Sequence, residues 1–230
     1  MLIPSGAPHP FPSMVAWPRG RVEAGARSGQ TVHMEFLPVG LDALLVEVED
    51  AADALSLALW ARGQQVGARE VVPAARTVLF DGVGDRAALV DRLAGWRPGP
   101  AAVEGDLVEI PVVYDGADLA AVAQAWRCTV DDVVERHVGT EFTASFCGFA
   151  PGFSYLVGLP EAWAVPRLPE PRTRVPAGSV ALADTWCGIY PTSSPGGWRL
   201  LGRTDARLWD VARDDPALLP PGTRVSFVAR

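Results

Sequence analysis

The stretch "GFAPGFSYLVGLP", residues 148–160, decides how the second half of the chain is read. Pro151 would break a helix interior, and Gly148 and Gly152 would each weaken one by roughly 1 kcal/mol, so the segment is a turn. Disordered segments are poor in aromatic residues, yet Phe149, Phe153 and Tyr155 crowd this one. The same texture continues through "PRLPEPRTRVPAGSV" (166–180), "CGIYP" (187–191) and "SPGGWRLLGRT" (194–204), with Phe146, Trp163, Trp186, Tyr190 and Trp198 interleaved. These are rigid turns whose glycines let the backbone approach something closely. Between residues 145 and 204, Arg167, Arg172, Arg174, Arg199 and Arg203 outnumber Glu161, Glu170 and Asp184, which suits a small anion.

Around this centre, short β-like runs separated by Gly/Pro turns ("EFTASF", "SVALA", "WRLLGRT", "TRVSFVA") have the spacing of a sandwich or barrel. Upstream, "LVEIPVVYDG" (107–116) reads as a strand, and "ADLAAVAQAW" (117–126) and "TVDDVVERHVG" (129–139) as helices, the second capped by Thr129. Before the Pro/Gly break "RPGP" (97–100), "ALLVEVE" (43–49) and "AREVVPAARTVLFDG" (68–82) read as strands. Between and after them, "ADALSLALWARG" (52–63) and "DRAALVDRLAGW" (85–96) read as helices, a β-α-β-α order that suggests a small α/β domain. Residues 1–33, rich in Pro and Gly without apolar period, are expected to be a disordered extension. The division is 1–33, a domain over 34–97, and a second over 101–230.

Composition narrows function. An apolar fraction of 49% with eight Trp is that of a globular chain, and a net charge of −7 argues against nucleic acid. All 20 basic residues are Arg, which excludes a Schiff-base lysine and a P-loop lysine. Three scattered cysteines imply a reducing compartment. The absence of a long apolar run and the prolines in "MLIPSGAPHPFPS" point to a cytoplasmic protein without a membrane role.

The ordered series GF-x-PGF-x-YL, PR, PR, VPAGSV, GIYP, SPGGW and GRT resembles the carboxyltransferase C/D-subdomain family, also called allophanate hydrolase subunit 1. Its stand-alone bacterial members include the B-type subunit of 5-oxoprolinase and the sporulation kinase inhibitor. The likeness extends to "EIPVVYDGADLAAVA" (109–123) and "VVERHVG" (133–139) and covers roughly 34–228. It implies an α+β chain: a small N-terminal α/β domain followed by a cyclophilin-like β-barrel. It further implies work with two partners of the same complex, a sister barrel subunit of C type and a lactam-handling one of A type, converting 5-oxoproline to glutamate with ATP, whose Mg2+ its phosphates or a partner would hold. Phosphorylating the amide oxygen of the lactam would activate a bond that water attacks slowly, a step of positioning and charge stabilisation. The alternatives are a regulatory protein that inhibits a sensor histidine kinase and a component of urea or allophanate metabolism. Two departures stand out: Leu41-Asp42 where the family has Asp-Arg, and Trp186-Cys187 where it has Gln-Thr.

The candidate catalytic residues are His137, Tyr155, Arg167, Arg172 and Ser179, and the candidate nucleotide-binding residues are Gly152, Arg203 and Thr204. Arg167 and Arg172 read as anion contacts or as partners of local carboxylates such as Glu170. His137 reads as a general base or as a cation suited to a helix end. Tyr155 reads as a substrate contact or a brace, Ser179 as a phosphate donor or a turn residue, and Arg203-Thr204 as an anion clamp or a strand-end pair. Scattered histidines imply no metal. Gly148 and Gly152 are expected to allow close approach at the mouth of the barrel.

Overall fold

The computed structural model describes residues 20–27, 30–97 and 105–230. Strands β1 (Gly20–Arg27), β2 (Gln30–Val39), β3 (Ala43–Glu47), β4 (Glu70–Pro73) and β5 (Thr77–Asp81) form one sheet in the order β1-β2-β3-β5-β4. Every pairing is antiparallel. Helices α1 (Ala51–Gly63) and α2 (Arg86–Leu93) start where Asp50 and Asp85 accept the backbone N–H groups of Asp53 and Ala88, at 2.8 and 3.0 Å. Alternate strand residues Phe36, Leu44, Val46, Val78 and Phe80 bury against Leu57, Ala58, Leu89 and Trp96 in one core.

Two expectations change here. Residues 68–82 are a hairpin rather than one strand: Ala74 N–H donates to Thr77 C=O at 2.8 Å and reverses the chain. Pro73 fits because β4 is the edge of the sheet, where a missing N–H is tolerated. Within the supposed tail, Gly20–Arg27 pairs with Gln30–Val39, so sheet structure begins before Met34 and satisfies backbone groups without an apolar period. Residues 1–19, 28–29 and the break at 98–100 lie outside the described residues.

The remainder comprises β6 (Leu107–Val112), α3 (Leu119–Trp126), α4 (Val130–Val138), β7 (Phe142–Cys147), β8 (Ser154–Val157), β9 (Arg172–Val175), β10 (Ser179–Ala183), β11 (Trp186–Ile189), β12 (Ser194–Gly196), β13 (Arg199–Arg203) and β14 (Arg224–Ala229). Seven of these strands run in the order β13-β10-β11-β8-β7-β14-β6, with β6 and β14 parallel and the other pairs antiparallel. The outer strands meet at a bridge in which Val113 and Arg203 exchange two N–H···O bonds of 2.9 Å. The sheet therefore nearly closes on itself, and closure removes the unpaired edges that an open sheet exposes. Strands β9 and β12 form a separate two-stranded ribbon.

Helix α3 ends at Arg127 in the left-handed conformation (φ 52°), and α4 begins at once with a capping box between Thr129 and Asp132. Val133 and His137, one helical turn apart, bury onto the barrel. Asp118, at the start of α3, is buried at 5% exposure. Its Oδ1 accepts from Arg172 Nη2 at 2.9 Å and its Oδ2 from Leu200 N–H at 2.7 Å, with Arg199 Nη1 at 3.9 Å. Removing one partner of a buried pair leaves the other uncompensated. Asp118→Ala is therefore expected to destabilise the protein by roughly 3 kcal/mol, read as a lower midpoint in urea, while Asp115→Ala on the exposed Arg203 pair changes it by under about 1 kcal/mol.

Candidate functional site

The segment 148–153 is the loop between β7 and β8, closed by Gly148 N–H to Phe153 C=O (3.2 Å) and Phe153 N–H to Ala150 C=O (2.9 Å). It gathers an aromatic cluster. Phe153 is buried at the centre, edge-on to Phe149, Tyr155, Tyr190 and Trp198 at centroid distances of 5.3, 5.0, 5.5 and 5.4 Å. Tyr155 stacks on Phe146 at 4.3 Å and meets Trp186 and Trp198 edge-on. Such pairs match the positive edge of one ring to the negative face of another. Phe149 departs from the pattern: it is 61% exposed and its backbone is left-handed, φ 69°. A bulky residue in that region is strained, and strain of this kind collects at functional loops.

Between these rings lies a narrow cleft of about 50 Å³, lined by Phe149, Tyr155, Arg167, Tyr190, Gly196 and Trp198 among others. Gly196 is required there, because a Cβ would fall 2.3 Å from the Tyr190 hydroxyl. Burial pushes that hydroxyl above the usual tyrosine range, opposed by a Trp198 backbone hydrogen bond and by the positive charges of Arg167 and Arg172. On the other side of Tyr190 and Pro151 runs a wider groove of about 510 Å³, whose walls include Gly178, Thr204, Arg207 and Trp209.

The sequence candidates separate in space. Tyr155 and Arg167 line the cleft and Thr204 the groove. Ser179 is buried beside the groove, its backbone C=O accepting from Tyr190 N–H at 2.9 Å. Arg172 is paired with Asp118 from another element rather than with nearby Glu170. Arg203 pairs with Asp115 at 2.8 Å, and strand alternation turns it away from Thr204. Arg174 donates to Ser193 Oγ at 3.1 Å and Arg199 to Pro166 C=O at 3.0 Å. Among the five arginines of this region, Arg167 alone makes no ion pair or hydrogen bond with the described residues.

Two candidates are corrected. Gly152 (φ 83°) makes its close approach to the chain itself, since a Cβ would meet Trp209 Cβ at 2.9 Å and Leu208 C=O at 3.0 Å; no ligand can take that space. His137 is wholly buried, 4.4 Å in ring centroid from Phe227 and 5.3 Å from Phe142, with Nδ1 2.7 Å from Tyr114 Oη and Nε2 3.4 Å from Cys187 Sγ. Burial lowers its pKa from 6.5 to about 3, so it is neutral and out of reach of a substrate. The residues missed by sequence reasoning are Asp118 and the exposed Phe149; the only signal for Asp118 was an acidic side chain at a helix start, which reads equally as a cap.

Residues 34–219 match the family described as carboxyltransferase domain, subdomain C and D. The chain belongs to that family. The B-type subunit of 5-oxoprolinase from Escherichia coli O157:H7 is 47% identical over 144 residues, 60% of this chain and 66% of that relative. Across three curated relatives of that name the chain spans between 52% and 66% of their length. Among solved structures, TTHA0988 superposes with a TM-score of 0.70 at 34% identity over 83% of this chain and 40% of that one. The Kluyveromyces lactis urea amidolyase matches 92% of this chain and 15% of its own at TM-score 0.69, and at 18% identity this likeness is one of fold.

Two measurements check the site. Phe149→Gly is expected to hold or raise stability, by roughly 1 kcal/mol of relieved strain, whereas Phe153→Ala at the buried centre lowers it by about 3–5 kcal/mol; thermal unfolding of both separates them. His137 binds a proton below about pH 6.5 when unfolded but only near pH 3 when native. Stability from this group is present above pH 6.5 and falls as pH drops toward 3, by roughly 1 kcal/mol per pH unit. Urea titrations at pH 7.5 and pH 5 should show that loss, and His137→Gln should flatten it.

Proposed function

We propose that this chain acts as the B-type subunit of an ATP-dependent 5-oxoprolinase, together with its A-type and C-type partners. The reading is carried by three relatives, 42–47% identical, each named as the B-type subunit of 5-oxoprolinase. The site supports it in kind: a cationic, aromatic cleft suits a small organic anion, and the neighbouring groove has the dimensions of small-molecule pockets, on the order of 300–1,000 Å³. The cleft presents no activated nucleophile or base, because His137 is sealed in the core and Ser179 is buried. This chain therefore binds and orients, and its partners complete the chemistry.

In the reaction so assigned, the lactam oxygen attacks the γ-phosphorus of ATP and ADP leaves. Water adds to the activated ring carbon, the C–N bond breaks with the proton passing to nitrogen, and a second water cleaves the resulting acyl phosphate to glutamate and phosphate. The other two readings draw no support of their own. The Bacillus subtilis relative, 42% identical, carries the same 5-oxoprolinase name, and the urea amidolyase likeness is one of fold. No helix among the described residues is long and apolar enough to cross a membrane; we take the cytoplasm as the site of action.

The purified assembly of this chain with its A-type and C-type partners is expected to release ADP in a 5-oxoproline-dependent manner, with glutamate formed in equal amount. Omitting this chain should abolish both. A well-folded complete assembly without turnover, or full turnover without this chain, would overturn the reading.

A further inference from the structure

We infer that the cleft holds the ring-sized monoanionic acid of the proposed reaction, its carboxylate on Arg167 and its ring between the aromatic walls, and that it does not hold the nucleotide. The inference rests on the reading of the chain as part of a 5-oxoprolinase. It follows from three features of the lining.

The first is charge. Arg167 is the only charged residue that lines the cleft, and no described carboxylate neutralises it. Arg167 is exposed, so its guanidinium stands at the solvent side of the cleft, where it meets an anion on entry. Its planar fork donates two parallel N–H···O bonds to one carboxylate.

The second is the count of donors. A triphosphate carries several negative charges and is held elsewhere by glycine-rich loops, helix N-termini and multiple cations. Here the wall offers one cation, no helix terminus, and the rings of Phe149, Phe153, Tyr155, Tyr190 and Trp198. Burying phosphates among them would leave charge unpaired. A monoanion balances Arg167 one for one.

The third is size and shape. The open volume of about 50 Å³ is a small fraction of the 510 Å³ groove beside it. It cannot enlarge along the ribbon without moving the Tyr190 hydroxyl from its seat on Gly196. As it stands the space is under two waters' share of liquid volume, about 30 Å³ each, so a five-membered ring enters only as the exposed, left-handed Phe149 turns aside from the mouth.

Two measurements test this. In the complete assembly, Arg167→Met is expected to raise KM for 5-oxoproline about 10–100-fold, the range for loss of a charge-assisted hydrogen bond, and to leave KM for ATP within about twofold, with Arg167→Lys recovering part of the loss. A rise in KM for ATP instead, or no change in either constant, overturns the inference. With the full chain alone, tryptophan fluorescence is titrated with 5-oxoproline, inorganic phosphate and ATP. Saturable change with 5-oxoproline, lost in Arg167→Met and not competed by ATP, supports the inference; no binding of 5-oxoproline, or competition by phosphate or ATP, overturns it. Absence of turnover in the wild-type assembly would overturn the proposed function, while the fluorescence titration would still decide what the cleft holds.

Discussion

Asp118 is a buried carboxylate whose two oxygens are divided between the Arg172 guanidinium and the Leu200 backbone N–H. Taking such a charge out of water is costly, and the cost is offset only where every lone pair finds a donor. That requirement fixes the start of α3, the ribbon strand β9 and the barrel strand β13 relative to one another. Arg172 also donates to Trp198 C=O at 3.4 Å, so the same pair holds a wall of the cleft. Strand β9 carries β12 beside it, and β12 supplies Gly196, the seat of the Tyr190 hydroxyl. One ion pair thus positions both sides of a site that it does not enter.

The aromatic cluster does complementary work. Phe153 and Trp198 press on Gly188 so closely that a Cβ there would lie 2.9 and 3.0 Å from them. Gly152 likewise admits Leu208 and Trp209 against the loop. Small residues in this part of the chain therefore let ring meet backbone, and the rigidity that follows is what can hold Phe149 in a conformation its side chain disfavours. The arginines follow a parallel economy: four of the five in residues 145–204 have protein partners, which leaves Arg167 to face the cleft.

Much of the frame was legible because it is local. The helices announce themselves by runs of helix-forming residues and, for α4, by the cap at Thr129, all decided within a few residues; the caps at Asp50 and Asp85 appear only in the structure. Strands β8 and β11 were not, because each is four residues long and embedded in turn-forming sequence. The candidate site was legible as a region but less so as roles. Tyr155 and Arg167 fall in the cleft, yet the partner of Arg172 lies 54 residues upstream and not at Glu170. The fate of His137 is set by Phe142 and Phe227, rings from β7 and β14. Long-range packing decides between a base and a core residue, and no spacing rule reads it.

The departure Trp186-Cys187 shows how far strand geometry can separate two adjacent substitutions. Neighbouring residues of β11 point to opposite faces. Cys187 turns into the barrel core, where its sulfur lies 3.4 Å from His137 Nε2 and burial pushes its thiol pKa far up, so it is a packing group and not a nucleophile. Trp186 turns to the aromatic cluster, edge-on to Tyr155 at 5.8 Å and to Phe146 at 5.4 Å, without lining the cleft itself. A large ring at 186 therefore acts on a ligand only through Tyr155, by bracing the ring that forms the wall. The pair then tunes the stiffness of the cleft from behind while leaving its charge, which rests on Arg167, unchanged.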